Sequence, residues 1–306
     1  MRDLIKNKYF SYLGALICVM LWGTAFPLIK LGYSELKIEE SDAASKLLFA
    51  GERFLLAGVL VFIAGLIIYR KPPLVKKKDL APVALLGIVQ TTLQYLFAYI
   101  GVGFTTAVNT SIITGTVSII SVLLAAVFFR NDKLSLLKVS GCILGLAGVV
   151  SVNLFDFSLS SVTFFGDIIV LLSAFSGVFG NIITKKISKD KNPTAVTAFQ
   201  LIIGGLILLI IGFIFGGTTV FNFNSLVILI WLSVVSSVSF LLWTALLKYH
   251  PVSRITIFTM LVPVFGTLWS FILLGEDIMR AENLISLLLI SLGIVFVNLK
   301  GSKNED

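Results

Sequence analysis

The stretch FFRNDKLSLLKVSGCILGLAGVVSVNL, residues 128–154, lines up with LLGEDIMRAENLISLLLISLGIVFVNL, residues 273–299, at a constant offset of 145. That register superposes Asp132 on Asp277, Gly148 on Gly293 and Asn153 on Asn298. Each copy is a short polar loop followed by an apolar run of the length that crosses a bilayer, about 20 residues. Nearer the start of each half an offset near 155 puts Lys30 on Lys185; the acidic loop 33–45 absorbs the difference. The chain therefore reads as two related units, residues 1–154 and 155–306.

Composition sets the solvent around these units. Apolar residues make up 57% of the 306 and charged residues only 13%, with 25 Phe and 25 Gly; mean hydropathy is +1.02. A soluble domain carries roughly a quarter charged residues, and a soluble fold of this composition would expose too much apolar surface to stay dispersed. Cutting at charged, Pro, Gly or Asn-rich loops gives ten apolar runs, 12–32, 46–69, 81–101, 107–129, 136–154, 166–186, 194–215, 225–247, 254–274 and 282–299. In lipid every backbone polar group must be satisfied within the protein, and continuous apolar runs of this length do so as helices. The expected fold is an all-α integral membrane protein of ten transmembrane helices, five in each unit.

Charge orients the spans. With the N-terminus inside, nineteen Lys and Arg fall in inside segments and three, Lys37, Lys46 and Arg280, in outside ones. This is the bias expected of cytoplasmic loops, and it places both termini inside. Because each unit holds an odd number of spans, the second enters the membrane from the opposite face, which makes an inverted-topology repeat. The expected location is the bacterial cytoplasmic membrane.

Several function classes recede on the same residues. The net charge of +8 is divided among short loops and forms no continuous basic patch, so nucleic acid is not an expected partner. Cys18 and Cys142 lie inside apolar runs without C-x-x-C spacing and read as small buried hydrophobes. Arg2, Lys6 and Lys8 ahead of an apolar run resemble a signal peptide, but the run is long and lacks an A-x-A cleavage pattern, which reads as an uncleaved first span. No H-E-x-x-H, G-x-S-x-G or P-loop occurs, and the single His250 precedes Pro251 in an inside loop. No enzyme activity, metal or cofactor is expected. A membrane enzyme, a receptor and a nucleotide-sugar-type carrier stand as the alternative readings.

The residues able to carry transport chemistry form stripes. Ser111, Thr114 and Ser118 share one face of the fourth span, and the offset of 145 pairs them with Thr256, Thr259 and Pro263 of the ninth. Matching polar faces of repeat-related helices would meet near the pseudo-two-fold axis; close packing through Ser and Thr is the competing reading. Pro263 removes a backbone donor and frees a carbonyl one turn earlier. Gln90, Gln94 and Tyr99 in the third span, and Ser233, Ser236, Ser237 and Trp243 in the eighth, are also repeat-related and should face the interior. Trp22 and Trp243 are placed to stack on an aromatic or apolar solute. Glu52 and Arg53 are charges inside the second span. Arg53 is expected to brace another helix or an outer headgroup. Glu52 is the candidate for proton coupling, against a carboxylate snorkelling to the outer interface. Gly141-x-x-x-Gly145 and Gly212-x-x-x-Gly216 permit close helix approach, within the protein or in a dimer.

Trp22-Gly23, Arg53 opening Arg-Phe-Leu-Leu-Ala, Gly166-Asp167, Leu261-Val262-Pro263-Val264-Phe265 and Leu274-Gly275-Glu276 occur in this order along the chain. In this series the chain resembles the EamA family of the drug/metabolite transporter superfamily. It departs from the family pattern at Ser118, where Pro is usual, at Asn131, where Glu is usual, and at Gly177, where Trp is common. The resemblance implies a secondary transporter of small organic metabolites, amino acids or similar amphipathic solutes. It implies export by alternating access around a mid-membrane cavity lined by spans 1, 3, 4, 6, 8 and 9. The implied partners are the solute, the lipid bilayer and a proton as candidate coupling ion, in a monomer or homodimer.

Overall fold

The computed structural model describes residues 5–102, 104–105, 107–153, 161–274 and 281–299. Arg2, Leu154, Gly275, Glu276, Asp277, Arg280, Lys300 and Lys303, used in the sequence reading, lie outside the described residues. In chain order the helices are α1 (Lys8–Leu36), α2 (Ala43–Tyr69), α3 (Lys77–Val102), α4 (Ala107–Phe128), α5 (Leu136–Asn153) and α6 (Ser161–Ser188). They continue with α7 (Pro193–Ile214), α8 (Phe223–Tyr249), α9 and α10 (Ala281–Asn298). Helix α9 is composite: an α-turn Val252–Thr256, a 3-10 stretch Ile257–Leu261 and an α-helix Val262–Leu274. Among the described residues no strand occurs, and seven helices, α1–α3 and α6–α9, are long and apolar enough to cross a membrane. Helices α4, α5 and α10 contribute shorter apolar stretches, Val117–Phe128, Leu136–Ser151 and Ile285–Asn298.

Several helices outrun their apolar cores because the capping residues lie beyond the hydrophobic run. Asn7 accepts from the Tyr9 amide at 2.8 Å, so α1 begins a turn before the run at 12. Asp42 accepts from the Ser45 amide at 2.9 Å and starts α2 at Ala43 rather than at 46. Asn222 and Ser225 form a reciprocal capping box that opens α8. Helix α3 departs from the expected regular span: Gly87–Leu93 is a π-helical stretch within it.

Backbones meet most closely where α2 crosses α7. A Cβ on Gly51 would stand 2.4 Å from the Leu209 nitrogen, and one on Gly58 2.7 Å from that of Ile202. One on Gly205 would stand 2.4 Å from the Leu55 nitrogen, and one on Gly212 2.5 Å from that of Leu48. Only glycine allows this approach. Shifting the first two contacts by 154 residues produces the last two. The α5–α10 contact behaves alike: a Cβ on Gly141 would stand 2.6 Å from the Gly293 carbonyl oxygen and one on Gly148 2.9 Å from that of Ser286, pairs exchanged by a shift of 145. Three further pairs of contacts exchange in the same way, α1 with α8 beside α6 with α3, α1 with α9 beside α6 with α4, and α2 with α8 beside α7 with α3.

Polarity is distributed for lipid. Ile67, Phe213, Ile143 and Leu288 are exposed, whereas Gln90, Gln200, Ser233, Ser236 and Thr256 are buried. Overpacking a close crossing costs about 1–3 kcal/mol. We predict that Gly205→Leu lowers the melting temperature in detergent by at least that equivalent, while Ile210→Ala, on the exposed side of α7, leaves it near wild type.

Candidate functional site

Arg53 is the eleventh residue of α2, roughly 15 Å along the helix at 1.5 Å per residue. It is 2% exposed. Its Nε donates to Ser236 Oγ at 2.9 Å, and Ser236 is the middle residue of α8. Ser233 donates to the Arg53 carbonyl at 3.1 Å, and Ser237 to that of Ala57 at 3.0 Å. Serines at i, i+3 and i+4 thus hold α8 to α2, and Arg53 braces a helix rather than reaching a headgroup. Its guanidinium lies over the Phe54 ring, 4.9 Å from the centroid, and among the described residues no carboxylate pairs with it. Glu52 points elsewhere, as neighbours about 100° apart on a helix must. Thr219, after α7, donates to its Oε1 at 2.7 Å, while Oε2 is buried without a partner.

A wall of aromatic rings continues from Phe54. Tyr95 lies 4.4 Å from it and Phe240 6.1 Å, Trp22 packs on Phe240 at 5.7 Å and on Trp243 at 4.9 Å, and Tyr99 is 6.4 Å from Tyr95. Trp22 is the middle residue of α1, and its indole nitrogen is buried without a hydrogen-bond partner. The structure brings Trp22, Tyr99, Ser236, Trp243 and Arg53 together in this region.

Gln90 belongs to a second, closed network. Its Nε2 donates to Asn181 Oδ1 at 3.3 Å, while its Oε1 accepts from Thr184 at 3.1 Å and from Gln200 at 2.8 Å. Trp243 Nε1 donates to the same Asn181 oxygen at 3.0 Å. The network ties α3, α6, α7 and α8 together, and its members are buried. Asn181, Thr184 and Gln200 escaped the sequence reading; the signal was an amide inside each of the sixth and seventh apolar runs. Gln94 is half-buried, and its carbonyl accepts from Ser173 at 2.7 Å. A Cβ on Gly177 would stand 3.2 Å from the Gln94 amide, so the small residue makes the room that Gln94 occupies.

The polar faces of α4 and α9 meet at one end. Ser118 donates to the Thr256 carbonyl at 3.1 Å and pairs with the Thr259 hydroxyl at 2.6 Å. Thr259 also donates to the Thr256 carbonyl. Pro263 sits in the first turn of Val262–Leu274, where a missing N–H costs nothing, and the 3-10 stretch precedes it; α4 runs unbroken past Ser118. Asp132, 2% exposed, pairs with Lys138 Nζ at 2.8 Å, accepts from the Ser253 amide at 2.9 Å and from the Ser253 hydroxyl, and so ties the loop after α4 to the start of α9. Helix α4 touches α9 through Val252–Thr256 and Ile257–Leu261. Among the described residues Val262–Leu274 packs on α1 instead and makes no comparable contact with α4. Ser111 lies in the early turns of α4, and Thr114 is exposed.

His250, between α8 and α9, closes the same end of the bundle. Its Nε2 meets the Ile5 carbonyl at 2.6 Å, and Lys185 Nζ donates to the His250 carbonyl at 2.8 Å. Burial holds its pKa below the ordinary 6.5, and the positive charges of Arg254 and Lys185 add to this against the Ile5 hydrogen bond. A histidine depressed in this way stabilises the fold while neutral; the contribution is full above about 6.5 and is lost as pH falls below it. We therefore predict a lower melting temperature at pH 5.5 than at 7.5, with a smaller difference in His250→Gln. Asn181→Ala, which strands the Trp243 and Gln90 donors, should cost about 1–3 kcal/mol, read as a fall in melting temperature.

Apolar helices facing lipid around a buried polar interior define a multi-pass membrane protein. The sequence profile of the EamA-like transporter family matches residues 9–154 and again residues 164–299. An uncharacterized transporter of Archaeoglobus fulgidus is 27% identical over 273 residues, covering 85% of this chain and 88% of its own. The uncharacterized transporter YvbV of Bacillus subtilis is 29% identical over 314 residues, covering 100% of this chain and 96% of its own. A protein of known crystal structure superposes with a TM-score of 0.79 at 18% identity, over 96% of this chain and 98% of that one, a likeness of fold. The chain belongs to the EamA-like transporter family.

Proposed function

We propose that the protein is a secondary transporter that exports small organic metabolites, amino acids or similar amphipathic solutes, across the bacterial cytoplasmic membrane. On this reading it has ten spans in two inverted five-helix units, 1–154 and 155–306, with both termini inside, and carries no enzyme activity. The exchanged helix contacts and the double match to the family profile support the two units. The observation that carries the mechanism is that, among the described residues, α4 meets α9 through Val252–Thr256 and Ile257–Leu261, while Val262–Leu274 packs on α1. The positive-inside charge bias makes the joined end cytoplasmic. On this reading the cavity is closed inside by Ser118 with Thr256 and Thr259 and by Asp132 with Ser253, and opens outward at the opposite ends of the two helices. Alternating access follows if the pseudo-two-fold exchange joins the outer halves as the inner ones part. Solute would bind between these states, against Trp22, Tyr99, Ser236 and Trp243 from one side and Ser111, Thr114, Ser118, Thr256, Thr259 and Pro263 from the other. Gln90 and Gln94 support that region, and Glu52 is retained as the candidate proton-coupling group.

Solute counterflow in proteoliposomes tests the reading. Uptake of a labelled amino acid should accelerate when unlabelled solute is loaded on the opposite side; a panel of small metabolites without such exchange would contradict transport. Asp132→Ala should loosen the inner closure, so that a cysteine placed at Thr259 reacts faster with a thiol reagent from the cytoplasmic side; an unchanged rate would count against the latch.

A further inference from the structure

We propose that Arg53 is where the carboxylate of the transported solute docks, so that the substrate class is a small amphipathic monocarboxylate whose apolar body lies against Trp22, Phe54 and Tyr95. This rests on the transport reading above. A guanidinium carries its charge in any protein setting, and an ionised group inside a membrane bundle ordinarily pairs with another or lines a solute path. Arg53 is 2% exposed, and Ser236 occupies only its Nε. Its two amino groups have no hydrogen-bond acceptor and no carboxylate partner among the described residues. The adjacent acid, Glu52, is taken up by Thr219.

The surroundings fit one end of such a ligand. Tyr95 packs on Phe54 at 4.4 Å, and Tyr99 lies 6.4 Å from Tyr95. The Trp22 indole N–H is buried without a partner, leaving a donor to spare. Guanidinium amino groups match a carboxylate with two parallel hydrogen bonds. Among the described residues Arg53 is the one cation stacked on any of the rings of Phe54, Tyr95, Phe240 and Trp22, which suits a single negative charge rather than a phosphate dianion. On the outer side Lys46 lies 5.6 Å from the Tyr33 ring centre, giving the approach the same sign. Phe54 under the guanidinium and the rings beyond it supply the apolar wall.

The test uses the purified full chain in thermal-shift and counterflow assays with matched pairs: phenylacetate and phenylacetamide, 4-methylpentanoate and 4-methylpentanamide, L-phenylalanine and L-phenylalaninamide. At least one acid should stabilise and exchange at least tenfold better than its amide. Arg53→Gln should abolish that preference, and Arg53→Lys should retain part of it. Should Arg53→Gln fail to fold, Ser236→Ala, which keeps the charge but frees its anchor, should lower the acid-to-amide ratio about three- to tenfold. Exchange of amides as readily as acids, or a preference that survives Arg53→Gln, overturns the carboxylate site while transport stands. Absence of exchange for every solute overturns transport and this inference with it.

Discussion

Everything in this bundle depends on how closely α2 and α7 cross. Four glycines, Gly51, Gly58, Gly205 and Gly212, let two helix backbones touch where a single added Cβ would overlap the opposite chain. Lipid supplies no hydrophobic force between helices, so such a contact holds through dense van der Waals packing. The crossing also maps onto itself when the two halves are exchanged, which places it where a pseudo-two-fold axis would run. From it α2 carries Arg53 to the middle of α8, and α7 carries Gln200 to Gln90 on α3. The polar interior hangs from that one steric condition.

Where the halves cease to match, chemistry differs. Offset by 155, Trp22 corresponds to Gly177: one packs on Phe240 and Trp243 of α8, the other leaves room for Gln94 of α3. Offset by 145, Ser118 corresponds to Pro263: one hydrogen-bonds across to α9 from an unbroken helix, the other follows a 3-10 break. An exchange of inward and outward states between such halves need not be energetically even. On the proposed mechanism the aromatic side and the amide side would meet a solute differently in each state, and the Ser118 bonds to Thr256 and Thr259 would favour the state in which these ends are joined.

Much of this was legible in the residues. The apolar runs gave the helices, and the stripe through Ser118, Thr256 and Thr259 correctly brought α4 against α9. The π-helical stretch Gly87–Leu93 was not legible, because a continuous apolar run offers no contrast between one helical period and another. The start of α2 was not legible in its apolar run, because Asp42 caps the helix at Ala43, ahead of the run that begins at 46. The network of Asn181 and Gln200 was missed because each amide stands alone in its own run, and only tertiary packing shows that they share Gln90.

The central claim is that two homologous units enter the membrane from opposite faces. Ser34, near the end of α1, and Lys189, just beyond α6, are both exposed and correspond at the offset of 155, while the native Cys18 and Cys142 are buried. Single cysteines at these two positions, treated in intact cells with a membrane-impermeant maleimide, should behave oppositely: Ser34→Cys labels, and Lys189→Cys labels only after the membrane is opened. Labelling of both from the same side would contradict the inverted repeat and the alternating-access account built on it.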